Sequence, residues 1–232
     1  MKFHIYLLLA LLFFQCDSNT KDKTNIQNPT KKNNAIEHVV SNAPKYNISN
    51  HVITQENAID FLNWYGKQNT KTDFLIETSL GNIQIKLFNE TPINRANFAY
   101  LVEKNYFSTT YFHRVVKDFV IQAGNSDLMK SSNARKSIGK YLLPPEFHPN
   151  LKHEFGAIAA AREWEDNPDK LTEPYEFYIV TKPNGAHHLN KEHTVFGKVT
   201  KGWEVIQKIN DQEVDGREFP LVDVKILSVK AL

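Results

Sequence analysis

Arg114 is the first residue whose setting calls for a chemical explanation. It lies in the run Tyr111-Phe112-His113-Arg114-Val115-Val116-Lys117-Asp118-Phe119-Val120-Ile121-Gln122-Ala123-Gly124. Arginine is seldom buried without a partner, and here its neighbours are those of a strand. A planar guanidinium survives at such a wall when its fork points into a polar cleft. Spacing leaves three readings open: a ligand-facing arginine, a structural ion pair, or a solvated strand residue. On a regular strand Phe112, Arg114 and Val116 share one face, and His113 and Val115 share the other. His113 then supports the wall from the side opposite Arg114. After a Lys117-Asp118 turn, Phe119, Ile121 and Ala123 alternate with Val120, Gln122 and Gly124.

Histidines raise a second chemistry. His187, His188 and His193 lie close together, with His148 and His153 earlier. Zinc signatures add ordered cysteine or acidic spacing, which this stretch lacks. His187 and His188 also point apart in an extended chain. No metal site is expected; these residues read as turn and pocket lining.

The elements that must hold these residues follow from periodicity. Thr54 is a candidate helix cap with Asn57 at the last cap-box position and Ile53 before it. Ala58, Ile59, Phe61, Leu62 and Tyr65 have helical spacing, and Gly66 fits a stop. From Phe74 the period becomes two. Phe74, Ile76 and Thr78 alternate with polar and apolar neighbours, Gly81-Asn82 can turn the chain, and Ile83, Ile85 and Leu87 return as a hairpin. Pro92 suits a first helical position, with Ala96, Ala99 and either Phe98 or Val102 as the buried stripe. Further strand-like runs are Tyr111–Val116, Phe119–Gln122, Ala157–Ala161, Glu176–Thr181, Val195–Val199 and Val222–Val229, with a short helix from Trp203 to Ile209. Many short strands with few helices imply a closed antiparallel barrel, and the lack of strand–helix alternation argues against a doubly wound sheet. Residues 125–150 read as a mixed segment that either rims a groove or packs over a barrel end. Trp164 reads as a surface anchor or as packing.

Composition limits the partners. Of 232 residues 41% are hydrophobic and 23% charged, which suffices for a packed domain and excludes disorder throughout. The 28 basic and 26 acidic side chains nearly cancel, and no basic stripe with interleaved aromatics appears, so no nucleic-acid partner is expected. Cys16 is the single cysteine, so no intramolecular disulfide can form. It follows an apolar run, Ile5 to Phe14, too short to span a bilayer as a mature helix.

That N-terminal layout resembles a bacterial lipoprotein signal, with Gln15 at a position where a small residue is usual. It implies removal of residues 1–15, lipid on Cys16, and a place in the cell envelope on the periplasmic or surface side. Residues 16–50, rich in Asn, Lys, Ser, Thr and Pro, read as a flexible tether. Residues 51–69 read as a helical extension and 70–232 as the functional domain, with a monomer as the working state.

The Arg114 run, in turn, resembles the signature of the cyclophilins. Four further blocks fit in order: Thr91-Pro92-Ile93 with Asn94–Phe98, Phe155–Ala159, Glu176–Val180 and His193–Val199. The resemblance implies an eight-stranded antiparallel barrel closed by two helices and peptidyl-prolyl cis–trans isomerisation without metal or organic cofactor. Proline-containing polypeptides are the implied partners. It further implies that Arg114 is the catalytic arginine and that Gln122 contacts substrate backbone. Phe119 would be the aromatic floor of the proline pocket, with Val120, Ala161, Tyr178, Leu189 and His193 lining it. Four positions depart from the family's best-known form. Arg162 stands for an asparagine whose place contacts the substrate backbone, Glu176 for a glutamine, Tyr178 for a phenylalanine, and His188 occupies a variable position. Glu176 is expected to pair with Arg114 or else with Arg162. The alternative to catalysis is a weakly active peptide-binding or chaperone module on the same tether.

Overall fold

The computed structural model describes residues 46–232. The expected signal, Cys16 and residues 16–45 of the tether lie outside them. Residues 46–50 do not behave as a tether. The Tyr46 ring packs on Phe61 and Trp64, and Lys104 Nζ donates to the carbonyl of Ile48 at 2.7 Å.

In chain order the elements are β1 (Ile53–Thr54), α1 (Ala58–Gln68), β2 (Asp73–Thr78), β3 (Gly81–Leu87), α2 (Pro92–Glu103), β4 (Tyr111–Val116) and β5 (Val120–Asn125). There follow α3 (Met129–Ile138), β6 (Gly139–Lys140), β7 (Ala157–Ala160), β8 (Phe177–Val180), β9 (Val195–Lys201), α4 (Trp203–Asn210) and β10 (Val224–Ala231). Eight strands close into an antiparallel barrel in the order β10-β2-β3-β9-β7-β8-β5-β4, with β10 paired back to β4. The expected barrel is therefore present. β1 and β6 form a separate parallel pair that ties the N-terminal extension to the domain.

The barrel interior is aromatic. Phe98 of α2 lies 5.4 Å from Phe74, 4.8 Å from Phe107 and 5.7 Å from Phe177, ring centre to ring centre, so α2 plugs one end. At the other end α4 buries Val205, Ile206 and Ile209. Its Asn210 side chain accepts from Asp118 N–H at 3.0 Å and donates to Asp118 Oδ1 at 3.2 Å, which pins the β4–β5 turn.

Three local expectations change. Gly66 does not stop α1, which runs on to Gln68; a Cβ there would lie 3.1 Å from that of Ala96, so the glycine admits close packing of α2. The β2–β3 turn is Ser79-Leu80, with Gly81 already paired to Thr78. The 125–150 segment contains α3, which has no apolar stripe because only Ser131 and Ile138 are buried. Within the same segment, Glu146 caps α2 from outside, its carboxylate accepting from the N–H groups of Ile93 (2.9 Å) and Asn94 (2.8 Å).

Candidate functional site

A one-residue bulge aims Arg114. The β4–β5 register passes from Phe112↔Ala123 to Arg114↔Gln122, so His113 is an extra residue on β4. The bulge breaks the regular alternation. Phe112 and Val115 now face the barrel interior, while Arg114 and Val116 face outward. The expectation that Phe112 shares a face with Arg114 is corrected accordingly. His113 does not stand opposite Arg114 either; it joins the same polar network. On β5 the compensating extra residue is Gly124, at φ +100°, where a Cβ would fall 2.1 Å from the Tyr175 carbonyl oxygen.

Outward-facing residues of β5, β7 and β8 form a second apolar cluster of Val120, Ala157, Ala159, Tyr178 and Val180, joined by Leu189 and Val195. Phe119, just before β5, packs on this cluster rather than with Ile121 and Ala123 inside the barrel. Over the cluster opens a cleft of about 420 Å³, lined by every site residue expected from the sequence except Glu176. Trp164 is an additional wall. Concavities of about 470 and 730 Å³ lie elsewhere, beside Tyr111–Asp127 and α3. Size does not select among them. The 420 Å³ cleft is distinguished by an apolar floor under convergent polar groups.

Several lining groups are fixed by specific contacts. Phe119 stacks on His188 at 5.5 Å. His153 Nδ1 lies 2.9 Å from Asn190 Oδ1, an acceptor, so Nδ1 carries the proton and Nε2 accepts from the Tyr178 hydroxyl at 2.9 Å. The Tyr178 hydroxyl is thereby turned away, and its ring serves the cleft. Burial pushes His153 down to about 4 and lowers His193 as well. His193 Nδ1 donates to the Ala160 carbonyl at 3.0 Å. Ala161 is held by its N–H to Glu176 O and its carbonyl to Glu173 N–H.

The charged groups differ most from expectation. Glu176 reaches neither Arg114 nor Arg162 and does not line the cleft. It sits behind Gln122, accepting from Gln122 Nε2 at 2.9 Å and Arg135 Nη2 at 3.2 Å, with His113 Nε2 at 3.4 Å. Burial opposes its charge, but His113, Arg135 and Gln122 outweigh that and hold the carboxyl down at about 2. Because Gln122 gives its NH₂ to Glu176, its Oε1 faces Arg114 Nη1, at 3.5 Å. The carboxylate on Arg114 is instead Glu218, whose Oε2 accepts from Nε at 2.7 Å. Arg162 folds onto Glu192, donating from Nε to its carbonyl (2.8 Å) and from Nη2 to its carboxylate (2.9 Å), with the guanidinium 4.0 Å from the Trp164 ring centre.

Sequence reasoning missed Arg135, Glu218, the orienting role of His153, and Trp164 as a cleft wall. None of the lining side chains is Ser, Thr or Cys. What the cleft offers is apolar surface, a guanidinium and an oriented carboxamide, which suits non-covalent stabilisation of a strained bound group.

Known proteins give the same arrangement a family. The Neurospora crassa peptidyl-prolyl cis-trans isomerase-like 1 is 32% identical over 162 residues, covering 69% of this chain and 94% of that protein. The Dictyostelium discoideum peptidyl-prolyl cis-trans isomerase-like 3 is 35% identical over 156 residues, covering 66% and 91%. A Cryptosporidium parvum cyclophilin type peptidyl-prolyl cis-trans isomerase shares the fold at TM-score 0.60 and 24% identity, over 70% of this chain and 98% of that one. The same protein has been solved in the presence of the dipeptide Ala-Pro. With the model of the cyclophilin type peptidyl-prolyl cis-trans isomerase/CLD family matching residues 74–231, across a closed barrel that carries its cleft on the outer wall, the chain belongs to the cyclophilin family.

Proposed function

We propose that the 420 Å³ cleft accelerates cis–trans rotation about Xaa–Pro bonds. The observation that carries this reading is the convergence of Arg114 and Gln122 on the rim of an apolar hollow floored by Phe119, Val120, Tyr178 and Leu189. A pyrrolidine ring needs such a hollow. The uncatalysed barrier, roughly 18–20 kcal/mol, arises from partial double-bond character in the amide. Twisting the bond returns lone-pair density to the prolyl nitrogen. A guanidinium aimed near that nitrogen stabilises the twisted form more than either planar form. Gln122 and the Arg162 backbone hold the flanking chain. The reaction breaks no covalent bond, so no nucleophile is required. The relative solved with Ala-Pro supports a proline-bearing ligand.

The clients we propose are exported proteins, met at the cell envelope. The support lies in the sequence: an apolar run ending at Cys16, then a polar segment. Lipid on Cys16 supplies the anchor. Metabolic lipid labelling of wild type and Cys16→Ala tests this part alone; label retained by Cys16→Ala contradicts it.

Isomerisation of a short proline peptide tests the activity. A charged hydrogen bond contributes roughly 1.5–3 kcal/mol, so Arg114→Ala is expected to slow turnover by about 10–100-fold. Peptide affinity without acceleration by the wild type would identify a binding module instead.

A further inference from the structure

Glu218 meets Arg114 through a contact that no local pattern accounts for. It lies 104 residues after Arg114 in the chain, on the loop between α4 and β10. That loop contributes no lining residue to the cleft. It is nonetheless built to deliver one carboxylate. Asp215 Oδ1 accepts from the N–H groups of Arg217 (2.8 Å) and Phe219 (3.0 Å). Asp215 N–H donates to the Phe219 carbonyl at 2.8 Å, and Glu218 N–H to the Asp215 carbonyl at 3.0 Å. Val214 and Pro220 bridge the base of the turn. The Glu218 carbonyl accepts from Val115 N–H at 2.9 Å, which sews the turn to β4 at the residue following Arg114.

The backbone of Glu218 is left-handed, at φ +68°. That region disfavours any residue with a Cβ. Gly216, two positions earlier, does not have a positive φ, so the loop's glycine is not at its left-handed position. Strain of this kind persists where surrounding structure enforces it and is a pointer to function. Here the enforced position is the one that faces Arg114.

The atom bound is informative. Nε is the inner nitrogen of the guanidinium. A carboxylate there does not occupy Nη1 or Nη2, and it stops the plane from turning about the Cδ–Nε bond. On the other side Nη1 meets Gln122 Oε1 only at 3.5 Å, a long contact that cannot fix the plane alone. We propose that Glu218 is the positioning residue for Arg114: it fixes the plane in which the two terminal nitrogens meet the rotating amide. The inference rests on the reading of Arg114 as the acting group.

The test compares wild type, Arg114→Ala, Glu218→Ala, Glu218→Gln and the Arg114→Ala/Glu218→Ala pair on one proline peptide, reading kcat/KM and peptide Kd. Glu218→Ala is expected to lower kcat/KM about tenfold with Kd changed by less than about twofold. Glu218→Gln keeps an oxygen that accepts from Nε–H and is expected to recover most of the rate. Adding Glu218→Ala to Arg114→Ala should cost nothing further, since the residue acts through the guanidinium. A wild-type rate in Glu218→Ala, an equal loss in Glu218→Gln, or a further loss in the double variant overturns the positioning role. Equal rates in wild type and Arg114→Ala would instead remove the catalytic reading on which it rests.

Discussion

The two faces of β5, β7 and β8 are both apolar, yet one is a core and the other a cleft. Inward go Ile121, Ala123, Ile158, Ala160, Phe177 and Ile179; outward go Val120, Gln122, Ala157, Ala159, Tyr178 and Val180. Period-two alternation builds both faces from the same strands. Inside, Phe177 meets Phe98, Phe107 and Phe112, and the space is filled. Outside, the small Ala161 side chain and the flat floor of Phe119, Val120, Tyr178 and Leu189 leave a hollow, with Arg114 and Gln122 at its edge. Side-chain size and a polar rim, rather than apolarity, make the difference.

Truncation on the inward face breaks this comparison most severely. Phe177→Ala removes a ring that three aromatics pack against, and it should destabilise the fold by about 3–5 kcal/mol in urea unfolding. A loss below about 1 kcal/mol would mean that the interior is not close-packed there.

The outward face answers to pH instead. The unfolded chain protonates His153 near the ordinary 6.5, the folded chain only near 4. Between those values the unfolded state binds the extra proton, so stability is full above about pH 6.5 and falls as pH drops toward 4. The loss is on the order of 3 kcal/mol from the size of the shift, and the lowered His193 adds in the same direction. His153→Gln should flatten the slope of unfolding free energy between pH 7.5 and 4.5. An unchanged slope would place the acid sensitivity elsewhere. Glu176 acts lower, its stabilisation disappearing only as pH falls from 4.5 toward 2.

The smallest effect sharpens the contrast. Tyr178→Phe keeps the ring but removes the hydroxyl that His153 Nε2 accepts from, so it should cost about 1–2 kcal/mol of stability. On this face the loss comes from a polar atom, where Phe177 loses volume. Equal stability of Tyr178→Phe and wild type would show that the hydroxyl is dispensable.

Most barrel strands were legible because alternating or doubly buried runs such as Ile83–Leu87 and Phe177–Val180 leave a local pattern. The cleft's lining was legible through family motifs, which gave residue types in order. Three features left no such trace. α3 is polar nearly all round, so neither the helix nor Arg135's hold on Glu176 had a periodic signal. The His113 bulge is a single inserted residue, invisible to a period of two. Glu218 meets Arg114 across 104 residues through a turn held by Asp215, a contact that only the closed fold creates.

Exchange NMR on a proline peptide, run with wild type and Arg114→Ala at matched occupancy, tests the central claim most directly. The expected result is strong line broadening from catalysed exchange with wild type, and its near loss in Arg114→Ala while the peptide still binds. Undiminished exchange in a folded Arg114→Ala protein would contradict the account.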